Sequence, residues 1–312
     1  MSLEVIYVTR HGVCFTSSFT VLFSLIVPFL TPNHRLHASI FFVFTNILSL
    51  YLQFRSNWVV DASTGTYQTS VPSPTNIPSD PALAGHGVLQ SHELARKLAS
   101  VEPPIERLYS SPFYRCLQTL APTLESLREQ KPHNERVLLK IRADAGLGEW
   151  FGLARFSHPS PAPLSLLCTL FPSCLDTAYA PVIVPSPQGE SIAALHDRVA
   201  YALHRIIEAC DRDGVKAIVV CTHAATLLAA ARALTGRMPE DVGQDDFGSF
   251  TCGLSEFRRR KDQTVPAVQA WEGVGRDIPA VPWRGGSGVA GGWDCTVDSD
   301  CSFLSGGEER GW

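Results

Sequence analysis

Apolar and polar positions along the chain fall into two alternating patterns. Short unbroken apolar runs, bounded by turn residues, read as strands buried on both faces. Leu3 to Thr9 is the first, and the front half of "VKAIVVCTHAATLLAAARAL" is another; its back half, after a tight turn, reads as a helix. "IERLYSSPFYRCLQTLAPTLESL" predicts a short strand, a turn and a helix, and "RVLLKIRADAGLGEW" a strand running into a glycine-bearing loop. The second pattern is helical. In "LAGHGVLQSHELARKLASV", Val88, Leu94, Leu98 and Val101 share a face. From Ser191 to Cys210, Ile192, Leu195, Val199, Leu203, Ile206 and Ile207 recur at helical spacing. Strands alternating with helices predict a mostly parallel central sheet with helices on both faces, a three-layer α/β/α domain.

Two stretches carry neither pattern. Residues 61–82, rich in Ser, Thr and Pro, predict a long surface loop, and 155–188 a Pro-rich irregular segment. From residue 258 the chain turns basic ("FRRRKD") and then Gly-rich ("WRGGSGVAGGWDC"). That predicts an irregular Gly- and Cys-bearing extension, 258–312, wrapped on a domain formed by 1–257. It lacks the Lys-Ser/Thr of a phosphate-binding P-loop.

Residues 13–53 break the pattern differently. They are almost wholly apolar, with Arg35 the one charged side chain. Three readings compete. As a membrane hairpin, Leu36 to Phe54 approaches a span, but Phe15 to Leu30 is short and holds Pro28. As an insertion packed on the domain, it would leave a large apolar patch unless covered. As a translated intron, it would contribute nothing, and this reading is preferred. Val13-Cys14 can be encoded GTATGT, an intron start; Thr45-Asn46 can be ACTAAC, a branch site; Gln53 can be CAG, an intron end.

Composition narrows the function. The net charge of −4 and the lack of a long Lys/Arg run argue against direct nucleic-acid binding. The nine cysteines, an odd number with no CxxC pair, favour reduced thiols inside the cell. The N-terminus lacks a basic region ahead of an apolar core, so no secretory signal is expected. The expected location is cytoplasmic or nuclear, or membrane-associated if 13–53 is truly translated.

The chemistry lies at strand ends. His11 follows the first strand and His223 a later one, at the sheet edge where open α/β folds bind ligands. Arg10 precedes His11, Arg115 sits at another strand-to-helix turn, and Glu149 ends a third strand region. Guanidinium forks hold phosphate oxygens at any working pH. A neutral imidazole can attack phosphorus, and a protonated carboxyl can supply the leaving group's proton. Neither a metal nor a cofactor is needed for this chemistry. Helical His92, His196 and His204 read as surface or packing residues.

In this order, "TRHG" (9–12), "GHGVLQSHELARKL" (85–98), "SSPFYRCLQT" (110–119), "GLGEW" (146–150), "GESIAALHDRV" (189–199) and "VVCTHAATL" (219–227) resemble the histidine phosphatase superfamily, phosphoglycerate-mutase-like branch. The resemblance implies that His11 is the nucleophile, that Arg10, Arg115 and His223 form the phosphate pocket, and that Glu149 is the proton donor. Arg55 and Asn57 would belong to the loop that closes over the phosphate. The implied activity is metal-independent hydrolysis of a phosphate monoester, on a small molecule or a phosphoprotein. "FRSNWVVD", "FTCGLSEF" and the final "GGWDCTVDSDCSFLSGGEERGW" further resemble fungal members similar to the tau 55 kDa part of the RNA polymerase III factor TFIIIC. That implies an alternative, a weakly catalytic scaffold among transcription-factor subunits.

Overall fold

The computed structural model describes residues 2–14, 58–260 and 267–309. Among these, six strands make one sheet: β1 (Val5–Arg10), β4 (Arg107–Ser110), β5 (Ile141–Ala143), β6 (Ala217–Thr222), β7 (Leu254–Arg259) and β8 (Trp293–Asp300). Their order is β5-β4-β6-β1-β7-β8. The first four run parallel, while β7 and β8 are antiparallel. A separate hairpin joins β2 (Trp58–Asp61) to β3 (Thr66–Thr69).

Alternation along β1 explains the layers. Ile6 and Val8 face one side, where they pack with Leu195, Val199 and Leu203 of α5 (Ile192–Asp213) and Leu227 and Leu234 of α6 (Ala224–Thr235). Val5 and Tyr7 face the other, against Leu94 and Leu98 of α1 (Gly85–Leu98) and Leu117, Leu120 and Leu124 of α2 (Tyr114–Glu129). Each such side chain, fully buried, contributes roughly 1.5–3 kcal/mol. The helices begin and end on local signals: Ser191 Oγ caps α5 by accepting from Ala194 N, and Gly214 ends it in the left-handed conformation. Two short helices, α3 (His133–Arg136) and α4 (Leu164–Leu170), lie in the connections.

Three expectations change. Residues 61–82 are not simply a loop, because β3 lies within them. The irregular stretch 155–188 contains α4. The stretch from 258 is not only a wrapping: β8 pairs with β7 and completes the sheet. Its Trp293 is fully buried beneath α6, so the tail supplies core as well as edge. All nine cysteines are free thiols, Cys295 and Cys301 included.

Of the block 13–53, Val13 and Cys14 are described, and the rest lies outside the described residues. Val13 N donates to Gln90 Oε1, and Val13 O accepts from Ala84 N. Both bonds use only backbone atoms of residue 13 and need no particular side chain at that position. A Cβ on Gly87 would collide with this carbonyl, so glycine there lets α1 approach the turn after β1. Among the described residues no helix is long and apolar enough to cross a membrane.

Candidate active site

Parallel strands deliver their C-terminal ends to one edge, and the chemistry gathers there. β1 ends in Arg10 and His11, and β6 in His223, which is also the N-cap of α6. Arg115 lies in the first turn of α2, behind β4. Glu149 follows β5 through a short 3₁₀ turn, Ala145–Leu147. Ring centroids of His11 and His223 are 5.3 Å apart. One ligating atom from each of His11, Glu149 and His223 falls within 4.8 Å of the others. The starts of α2 and α6 add the positive ends of two helix dipoles.

His11 is buried, and its Nδ1 lies 2.9 Å from Gly12 O. That contact needs the proton on Nδ1 and leaves the lone pair on Nε2. Burial, then the charges of Arg115, His223 and Arg10, hold its pKa well below the usual histidine value. His11 is therefore a neutral base set among cations.

His223 is moved the other way. Burial alone would lower its pKa, but Cys116 and then Glu149 raise it by more. Its Nε2 lies 2.7 Å from Ser111 Oγ. Its Nδ1 faces both Arg115 Nη2, at 3.1 Å, and Glu149 Oε2, at 3.2 Å. The raised pKa favours the protonated ring, with Nδ1–H given to the carboxylate. Arg115 Nη2 already donates to the same oxygen at 2.8 Å and needs no acceptor on the imidazole.

Glu149 is thus held as a carboxylate by Arg115 and His223. Burial would raise its pKa, but His223, Arg115 and His11 bring it far down. The sequence suggested a carboxyl kept protonated; the ion pairs to Arg115 and His223 favour the ionised form instead. The three ligating groups could also meet a metal ion geometrically. The adjacent Arg115 guanidinium, and Arg10 beyond His11, make the pocket better suited to an anion.

Arg115 is held by a residue that no motif in the sequence marks. Its Nη1 donates to Ser79 O at 3.0 Å and to Asp80 Oδ1 at 3.3 Å. Asp80 is fully buried, and its other oxygen accepts from Tyr114 N and Thr75 Oγ1. Only a fold that returns the Pro-rich segment beneath α2 gives Asp80 this place. Arg10 Nη1 donates to Ser249 O at 2.9 Å, which fixes its head beside His11. Arg55 and Asn57 lie outside the described residues. His92 is exposed, while His196 and His204 are buried in α5, away from this edge.

The Glu149 loop is clamped from below. Thr222 Oγ1 and Thr226 Oγ1 donate to Leu147 O and Gly148 O, at 2.6 and 2.8 Å. Fully buried Arg198 gives Nη1 to Gly146 O at 2.8 Å and Nε to both oxygens of Glu190, at 2.8 and 2.9 Å. A signal for Arg198 does exist in the sequence, since it interrupts the apolar stripe of α5 between Leu195 and Val199. Replacing Arg198 with Met should destabilise the protein by about 3–5 kcal/mol, because Glu190 is left buried and unpaired. Urea unfolding measures this, and a loss under about 1 kcal/mol would show that the clamp is not structural.

Comparison with known proteins identifies the family. Residues 75–272 match the family model of the histidine phosphatase superfamily, branch 1. The transcription factor tau 55 kDa subunit of Saccharomyces cerevisiae is 29% identical over 267 residues, which cover 83% of this chain and 56% of the yeast protein. The ecdysteroid-phosphate phosphatase of Drosophila melanogaster is 29% identical over 178 residues, 55% of this chain and 22% of the fly protein. Among solved structures, the ecdysone phosphate phosphatase of Bombix mori, in complex with tungstate, superposes with a TM-score of 0.54 at 18% identity. That match covers 88% of this chain and 97% of the other, and it supports the shared fold. Fold, strand-end residues and family model converge: the chain belongs to branch 1 of the histidine phosphatase superfamily.

Proposed function

We propose that this chain hydrolyses a phosphate monoester, without a metal, through a phosphohistidine at His11. The observation that carries the reading is a neutral, buried imidazole surrounded by Arg10, Arg115 and His223, with a carboxylate inside the same cluster. A phosphoryl group entering the cluster takes Arg115 and His223 onto its oxygens. The field that held Glu149 ionised is thereby removed, and the carboxyl takes up a proton. His11 Nε2 attacks phosphorus. An N–P bond forms, the ester P–O bond breaks, and the leaving oxygen takes the Glu149 proton. Water then attacks the phosphohistidine and gives a proton to Glu149. The N–P bond breaks, and inorganic phosphate and neutral His11 result. We also propose Arg55 and Asn57, outside the described residues, as phosphate-binding. The testing experiment is acid-free quenching during turnover of a ³²P-labelled monoester. Label stable to base and lost in acid should map to the peptide containing His11; label elsewhere, or none despite phosphate release, would exclude the scheme.

A second reading rests on the similarity to the yeast tau 55 kDa subunit across 83% of this chain. On it, the domain is a scaffold in a nuclear transcription-factor complex, and the phosphate pocket is a retained feature. Tagged protein would then co-purify with large polymerase III factor subunits and show phosphate release near background. A monomeric, active protein would set this reading aside.

A further inference from the structure

Beyond the phosphate pocket, a file of aromatic rings leads outward to the β2–β3 hairpin. Phe113 stands edge-on to His223 with centroids 5.4 Å apart, and its ring lies 4.9 Å from the Arg115 guanidinium carbon. Phe151, two residues after Glu149, is 6.3 Å from Phe113. Its further neighbours are Trp58 at 6.3 Å, Tyr67 at 6.4 Å and His158, stacked at 4.9 Å. Phe113 is buried with the core, whereas Phe151, Trp58 and Tyr67 belong to none of the hydrophobic clusters among the described residues. Trp58, Tyr67 and Phe151 are only half-buried. Core packing among the described residues therefore does not account for these three rings. Trp58 and Tyr67 also precede residues 75–272, so the family model does not account for them either.

The file is firmly built. Tyr67 Oη lies 2.6 Å from His158 Nδ1, and His158 Nε2 lies 2.8 Å from Gly152 O. One neutral tautomer serves both contacts: Nε2–H donates to the carbonyl, and Nδ1 accepts from the phenol. Phe151 O accepts from Glu190 N at 2.9 Å. Gly189 has φ +79°, and a Cβ there would strike the Gly152 carbonyl, so glycine permits the close approach that seats this loop.

Building on the phosphohistidine reading, we infer that this file is the leaving-group subsite, and that it takes phosphate monoesters whose alcohol carries a flat ring system. In-line transfer to His11 directs the ester oxygen away from His11, toward Glu149. A group on that oxygen emerges past Phe113 and Phe151. Ring faces and edges there reward a flat apolar group with burial and with ring–ring contact. A short charged alcohol would lose hydration against carbon without gaining a partner.

The test compares 2-(1-naphthyl)ethyl phosphate with ethyl phosphate, whose leaving alcohols are similar in basicity. The full chain should prefer the naphthyl ester in kcat/KM by roughly 30-fold or more. In Phe151→Ala and in Trp58→Ala the preference should shrink to within about threefold, as those contacts vanish. A native preference under about threefold, or one that both substitutions leave intact, overturns the inference. Calorimetric affinity for the matching phosphonates separates the subsite from turnover. If neither ester is hydrolysed while the naphthyl phosphonate binds tighter and Phe151→Ala removes that advantage, the phosphatase reading fails and the subsite stands. Equal phosphonate affinities overturn the subsite, whatever the turnover.

Discussion

His11→Ala should lower phosphate release from 4-nitrophenyl phosphate on the order of 10⁴-fold or more, to the level of the buffer. The size of the effect follows from covalency. Alanine removes the Nε2 lone pair that forms the N–P bond, and neither Arg115 nor His223 can replace it. Arg115 is cationic and tied to Asp80 and Glu149. His223 has Nε2 on Ser111 and Nδ1 on the carboxylate. The anion pocket itself remains, so orthovanadate should still bind within about tenfold of the native affinity. A matching circular dichroism spectrum would separate lost chemistry from lost fold. A rate that survives the substitution would mean that water attacks phosphorus directly and that the phosphohistidine scheme is wrong.

Glu149→Gln should produce the second large effect, and its size should depend on the leaving group. An alkoxide is a poor leaving group and needs the proton, so kcat/KM for ethyl phosphate should fall about 10²–10⁴-fold. A nitrophenolate leaves unaided, so kcat/KM for 4-nitrophenyl phosphate should fall less than about tenfold. This ratio reports only steps up to the first irreversible one, the transfer to His11. The second step also uses Glu149, as the base for water. With the nitrophenyl ester the variant should therefore release a burst of nitrophenol and then slow, as phosphohistidine accumulates. Equal losses on both esters, without a burst, would show that Glu149 only holds Arg115 and His223 in place.

Much of the fold was readable before any coordinates. Strands β1 and β6 are unbroken apolar runs because both their faces are covered, and α5 shows its stripe because Leu195, Val199, Leu203, Ile206 and Ile207 pack into one core layer with β1 and β6. Ser191 and Gly214 mark the limits of α5 by capping chemistry that is local. The hairpin and β8 were not readable. Trp58-Val59-Val60 is too short an apolar run to announce β2, with Val59 exposed, and Thr66–Thr69 alternates exposed and half-buried polar residues. β8, "WDCTVDSD", is an edge strand with mostly solvent-facing positions, and its pairing with β7 is irregular.

The candidate site divides along the same line. Arg10, His11, Arg115, Glu149 and His223 were legible because each sits at a strand end or at the start of the helix that follows it. A parallel sheet must bring those ends to one edge, so the sequence determined the set. Its electrostatics were decided only by the tertiary structure. Opposite pKa shifts of His11 and His223, and the ionised state of Glu149, depend on angstrom-scale distances between residues remote in the chain. The supporting groups were decided there too. Asp80 reaches Arg115, Arg198 reaches the Glu149 loop, and Trp58 reaches Phe151 only through long-range packing. Periodicity and capping act over a few residues and are written in the sequence. Burial and charge pairing act across space, and the folded chain alone sets them.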